Sequence, residues 1–215
     1  MSKAPDFYVY KLTSDVGGAP CVHRKTLSLA ICKPRIRKSA QLGSFIVGIG
    51  GNKLGLRLIY IARVTGKLID GLYYGARCFA GRPDCIYEDV CGAARLRPGA
   101  RFHQRGDQIK RDVGAHFENS EVLLSDDFRY FGGKGTTHYQ DSYPNLYAMI
   151  QDLERGHRRN HKPVVYDDLR KLRDEIWKLP RNLAEKPSQE AKNQLLNDDG
   201  PIAKCCRKAP TVWCD

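Results

Sequence analysis

Membrane-spanning runs, metal-ligand spacings and nucleotide-binding loops are all missing from this 215-residue sequence. Its longest apolar stretches, such as residues 56–64, are broken by Arg57 and Arg63. A helix needs roughly 20 apolar residues to cross a bilayer. The first fifteen residues hold no apolar core of a secretion signal, so a cytoplasmic chain is expected, with no membrane partner. Eight cysteines are present but no CxxC pair, and Cys78, Cys85 and Cys91 stand seven and six residues apart. A structural zinc site needs two close pairs or a close Cys/His set, and a reducing compartment does not sustain disulfides. Free thiols are expected, some of them packed in the core, with no metal and no cofactor. No GxxxxGK(S/T), no GxGxxG behind a strand, no HExxH and no GxSxG occurs, so the commonest nucleotide, metal and serine-hydrolase signatures are absent. The HxE and PCxxC pair of zinc deaminases is missing too.

Positive charge is what the sequence has in excess. Lys and Arg number 36 against 24 Asp and Glu, a net charge of +12. Such a surplus makes polyanions the first suspects as partners. It is gathered in three runs. Residues 23–38 carry Arg24, Lys25, Lys33, Arg35, Arg37 and Lys38 with no acid, and residues 95–111 carry six cations against Asp107 alone. Residues 155–162 add Arg155, Arg158, Arg159 and Lys162 with His157 and His161. A solvated surface is the plain reading of any one run. Three runs beside expected loops fit a surface that grips phosphates, with Lys33, Arg35, Arg37, Lys38, Arg101, Arg105, Arg158 and Arg159 as its candidates.

Aromatic residues (Phe79, Tyr87, Phe102, Phe128, Tyr130, Phe131 and Tyr139) interleave with Arg and His in the middle third. Each alone reads as core. Together they offer stacking surfaces for an unstacked base, and Tyr87, Phe128, Tyr130 and His103 are the candidate base pocket. Carboxylates lie among them: Asp15, Asp84, Asp107, Asp112, Asp126 and Asp127. One of these could activate water or steady a cationic sugar, although turn forming or helix capping is the ordinary duty of an aspartate.

Apolar and β-branched runs place strands over residues 7–10, 26–33, 45–49 and 56–64, with another over 122–124. Residues 71–80 fit a short helix or a strand. Residues 93–114 read as an extended surface loop rich in Arg, Gly and Pro. Helical spacing recurs over 144–155 and 166–179. The expected architecture is α+β: a mostly antiparallel, barrel-like sheet with C-terminal helices. Residues 1–183 form one domain, and 184–215 an extension that packs on it or frays.

An ordered series of motifs carries a resemblance. Tyr8-Val-Tyr10, Thr13-x-Asp15-x-Gly-x-Ala-Pro20, Leu29-Ala-x-Cys-Lys-Pro34, Ile36-Arg-Lys-Ser-Ala40 and Gly43-x-x-Ile-Val-Gly48 follow one another. Then come Arg57-Leu-Ile-Tyr60, Val64, Arg82-Pro-Asp-x-Ile-Tyr87 and Val122-Leu-Leu-Ser-Asp-x-Phe-x-Tyr-Phe-Gly132. Over about residues 7–133 this resembles the nucleotide-modification-associated domain, type 2. The strand order is also similar to PUA/EVE-like barrels, whose members accept a modified base in a pocket. The resemblance implies DNA containing hypermodified bases as partner. With it, the expected function is a DNA glycosylase that excises a bulky modified cytosine or similar base from phage DNA, in antiphage defence. Asp84, Asp127 and Asp15 are its candidate catalytic residues. The alternatives are a non-catalytic reader of modified bases and an accessory enzyme of modified-nucleotide metabolism. No GQDPYH-like segment or helix-hairpin-helix is present.

Overall fold

The computed structural model describes residues 4–189. The chain runs β1 (Phe7–Leu12), β2 (Cys21–His23), β3 (Thr26–Leu29), α1 (Pro34–Ser39), β4 (Phe45–Gly50), β5 (Leu58–Arg63), β6 (Gly66–Leu68) and α2 (Leu72–Gly75). It continues through β7 (Tyr87–Val90), β8 (Ala93–Leu96), α3 (Gly106–Asp112), β9 (Val122–Ser125), β10 (Asp127–Tyr130), α4 (His138–Ser142) and α5 (Pro144–Gln151). Last come β11 (His157–Arg158), α6 (Pro163–Ile176) and β12 (Leu183–Ala184).

The central sheet has strand order β11-β1-β4-β5-β10-β12. Successive side chains of a strand point to opposite faces, and in β1 both faces are buried. Phe7 and Val9 pack with Leu146, Ile150, Leu169 and Leu172 of α5 and α6. Tyr8, Tyr10 and Leu12 pack on the other side with Leu27, Leu29 and Ile36. That second layer is the β2-β3-β9-β6 sheet together with α1. A strand covered on both faces reads as a continuous apolar run, which is why FYVYKL and FIVGIG stand out.

The α+β class is as expected, but the sheet is not an antiparallel meander. β1 pairs in parallel with β4, from Phe7↔Phe45 to Leu12↔Gly50. A parallel pair needs a crossover, here made by β2, β3 and α1. The polar stretch after residue 33 hides that helix. Pro34 starts it at a position where its missing N–H costs nothing, and Ile36 and Ala40, four apart, face the core. Among the described residues the two larger sheets stay open and do not close into one barrel.

Residues 93–114 are not a loop throughout. β8 pairs with β7 through a two-residue turn in which Cys91 and Gly92 both have positive φ, the geometry of a type I′ hairpin. Cysteine before glycine is an unusual signal for it. α6 starts three residues earlier than its apolar spacing indicated, again at a proline. Of the extension expected over 184–215, residues 184–189 run along β10 and the loop at 15, with Glu185 donating to the Tyr130 carbonyl and Gln189 to the Asp15 carbonyl. Its remainder, including Cys205, Cys206 and Cys214, lies outside the described residues.

Gly48 sits at a register shift between β4 and β5, directly beneath the Tyr60 ring, whose hydroxyl meets that of Tyr10 at 2.9 Å. A Cβ at this position would run into that ring. Gly48→Ala is therefore expected to lower stability by about 1–3 kcal/mol through overpacking. Urea denaturation of the two proteins checks this.

Candidate functional site

An open groove of about 590 Å³ runs between the loop at 13–19, the segment at 31–33 that follows β3, and residues 101–108, which lead into the first turn of α3. Lys33, Arg101 and Arg105 stand on its walls, and no Asp or Glu does. Phe102 gives it an aromatic surface and lies so close to Gly18 that a Cβ there would be 3.0 Å from the ring.

Three polar side chains join in series at one wall. The Cys32 sulfur lies 3.1 Å from Nε2 of His103, and Nδ1 of the same ring meets the Asp112 carboxylate. Asp112 is buried. Its Oδ1 accepts the Cys32 backbone N–H at 2.9 Å and its Oδ2 accepts the Tyr87 hydroxyl at 2.8 Å. A carboxylate, an imidazole and a thiol in this order are the parts of an activated nucleophile. Burial opposes charge on His103, but the hydrogen bonds to Asp112 and then to Cys32 outweigh it and push its pKa up to about 10. The ring is therefore an imidazolium at neutral pH, donating from both nitrogens. Cys32, Lys33 and His103 all adopt left-handed backbone, with φ of 59°, 48° and 52°. For residues with a Cβ this costs roughly 1 kcal/mol or more each, and such strain gathers at functional sites.

Arg37 holds the two halves of the set together. Its guanidinium is fully buried and donates to the Cys32 carbonyl at 2.8 Å, the Asp112 carbonyl at 2.6 Å, and the carbonyls of Asn119 and Glu121. A role for Arg37 in gripping DNA is thereby corrected: no face of this group reaches a phosphate.

Residues 4–194 match the nucleotide modification associated domain 2. The chain belongs to that family. No curated protein and no solved structure matches it. The motifs that carried the resemblance end at Gly132, whereas the family match takes in α4 to β12 as well.

In this family member the three basic runs meet. Tyr8 and Tyr10 project from one face of β1; Lys33 Nζ lies 4.7 Å from the Tyr10 ring, and Arg159 lies 5.6 Å from that of Tyr8. His157 packs 5.8 Å from Tyr8. Its pKa is lowered by burial and then by the charges of Arg35, Arg159 and Lys33. Lys33 is lowered by burial first, and Arg155 adds to that. So the 23–38 and 155–162 runs adjoin beside β1, and Lys33 of the first shares the groove lining with Arg101 and Arg105 of the remaining run. Arg35, Lys38 and Arg159 are exposed, Arg158 is half-buried, and Arg159 pairs with Asp6 at 3.2 Å.

The expected carboxylates stand elsewhere. Asp84 is completely buried, accepting Ser28 Oγ at 2.5 Å and the Tyr73 hydroxyl at 2.6 Å, with Arg82 at 3.5 Å. It fastens the β2-β3 hairpin to the segment before β7. Asp127 pairs with Arg129 at 2.7 Å and accepts Trp177 Nε1 at 3.2 Å. Asp15 lies beside the groove but is buried, its oxygens taken by the Tyr130 hydroxyl and by N and Oγ of Ser188. Phe128 and Tyr130 belong to the core, and Tyr87 stands behind Asp112. Of the candidate base-pocket residues, His103 alone lines the groove. Among the described residues no group of three or more His, Cys, Asp or Glu side chains is arranged to hold a metal ion. No helix among them is long and apolar enough to cross a membrane.

Arg37→Ala leaves four carbonyls without their donor and is expected to lower stability by about 3 kcal/mol or more, read from urea denaturation. His103 has a folded pKa above its ordinary 6.5, so its contribution is complete below that pH and is lost as pH rises through about 10. The melting-temperature gap between wild type and His103→Gln should accordingly be widest at the acid end and close towards pH 10. A gap that widens with pH contradicts the pairing.

Proposed function

We propose that this protein binds nucleic acid carrying a modified base and acts on that base within the groove. The observation that carries the reading is a groove walled by Lys33, Arg101 and Arg105 with no acid on its lining, in a member of the nucleotide modification associated domain 2 family. Cations from separated parts of the chain suit successive phosphates, and the Arg35–Arg159 surface continues the same positive field. A base swung out of its stack would meet Phe102 and His103.

Excision of the base, as a DNA glycosylase in antiphage defence, is the finer reading that the sequence raised. Excision develops positive charge on the sugar, which a carboxylate must steady. In this groove the developing charge would face an imidazolium and three further cations. The electrostatics favour a reaction that develops negative charge, on the base or its substituent. A non-catalytic reader has no use for a thiol, an imidazole and a carboxylate in series.

The test is to incubate the protein with modified and unmodified phage DNA and follow both strands and bases by mass spectrometry. An altered base still attached to its sugar supports the proposal. Released base with abasic sites establishes excision instead, and selective binding without any product establishes a reader. In the same assay, Arg101→Ala with Arg105→Ala should weaken binding and flatten the log–log salt dependence by about 0.9 for each duplex phosphate no longer neutralised. An unchanged slope rejects this groove as the gripping surface.

A further inference from the structure

We propose that Cys32 is a covalent nucleophile and that the bond it opens is an acyl bond, an amide or ester, in the substituent of the modified base. His103 carries the proton and Asp112 is a positioning residue. The proposal rests on the groove being the site of that base.

Three observations point to Cys32. Cys32 lines the groove, and its sulfur lies 3.1 Å from a ring nitrogen whose partner nitrogen is held by a buried carboxylate. A ring nitrogen at hydrogen-bond distance from the sulfur, oriented from behind by a carboxylate, is the geometry of an activated nucleophile. The backbone at both Cys32 and Lys33 is left-handed, a strained conformation of the kind that functional sites hold. Other cysteines are placed differently: Cys21 and Cys85 are buried, and burial is the first cause pushing both thiols up, Cys85 to about 11.

The charge on the walls selects the reaction. Attack on a carbonyl carbon gathers negative charge on the carbonyl oxygen, which Lys33, Arg101 and Arg105 stabilise. Sulfur forms a bond to the carbonyl carbon, and the C–N or C–O bond of the substituent then breaks. The departing nitrogen or oxygen keeps the electron pair and takes the proton from Nε2 of His103. The resulting thioester is attacked by water, which passes one proton to the same Nε2. The C–S bond breaks, its electron pair returns to sulfur, and a carboxylic acid leaves. The sum is hydrolysis, with no further co-reactant. Asp112 holds the ring in orientation throughout and balances its charge.

The full-length chain is treated with iodoacetamide at about pH 6, with glutathione as the reference thiol, and separately with p-nitrophenyl acetate as an acyl probe. Cys32 should alkylate roughly tenfold or more faster than glutathione, and His103→Ala should remove that advantage while circular dichroism reports an intact fold. The ester should give a burst of about one p-nitrophenolate per chain, with the acetyl group mapped to the peptide containing Cys32 and absent in Cys32→Ala. Alkylation at the glutathione rate, or a burst that survives in Cys32→Ala, overturns the nucleophile. Selective binding of modified phage DNA by Cys32→Ala is measured alongside. If that binding persists while the burst is missing from wild type, the nucleophile falls and the groove stands. If the burst is present but neither protein prefers modified DNA, the nucleophile stands and its assignment to a base substituent is overturned.

Discussion

A buried guanidinium is the constraint on which the rest of the site depends. Arg37 is shut off from solvent, and an ionised group in that position is stable only if its donors all find acceptors. It finds them in backbone carbonyls of two separate segments, at Cys32 and at Asp112, Asn119 and Glu121. The sulfur and the carboxylate belong to segments eighty positions apart. Because a carbonyl cannot shift without dragging its own residue, the spacing between Cys32 and Asp112 follows from where Arg37 sits. α1 exists to put it there: Ile36 and Ala40 bury one face of a helix too short to persist in isolation.

A second network of the same kind lies under the β2-β3 hairpin. Arg82, Asp84, Tyr73 and Ser28 satisfy one another without solvent, and Arg82 also reaches the carbonyls of Cys21 and Thr26. Ala30 and Ile31 at the end of β3 pack with Tyr73, Tyr74 and Tyr87. The strand that delivers Cys32 is therefore clamped at its start by one buried cation and at its end by another. A nucleophile held within a few tenths of an ångström needs such supports outside its own contacts.

Strands announced themselves in the sequence because both faces of β1 and β4 are apolar, whereas the parallel pairing did not, since register between distant strands leaves no local trace. The basic runs were legible as runs. Which members face solvent was not, because Arg37 differs from Arg35 and Lys38 only by lying on the helix stripe with Ile36 and Ala40. Cys32, without a CxxC partner, read as packing, and Asp112 was one acid among several. Their pairing with His103 arises only when the 95–112 stretch folds back over β3. Asp84 misled for a physical reason: a constrained Pro-Asp turn beside an arginine looks alike whether the carboxylate faces a ligand or closes a core network.

The sign of the field in the groove links fold to chemistry. Two segments, each with its own structural reason for being where it is, bring Lys33, Arg101 and Arg105 to one wall set, and the imidazolium of His103 adds a fourth charge. Of the nearby carboxylates, Asp112 is spent on the ring and on the backbone of Cys32, and Asp15 on Tyr130 and Ser188. On the proposed function an anionic strand would be drawn in by this arrangement, and an oxyanion formed within it would be stabilised where it develops. A cationic sugar would be opposed by the same charges that hold its phosphates. On that proposal, affinity for the substrate and preference among reactions would both come from one distribution of charge, so a change that weakens the grip should also weaken the discrimination.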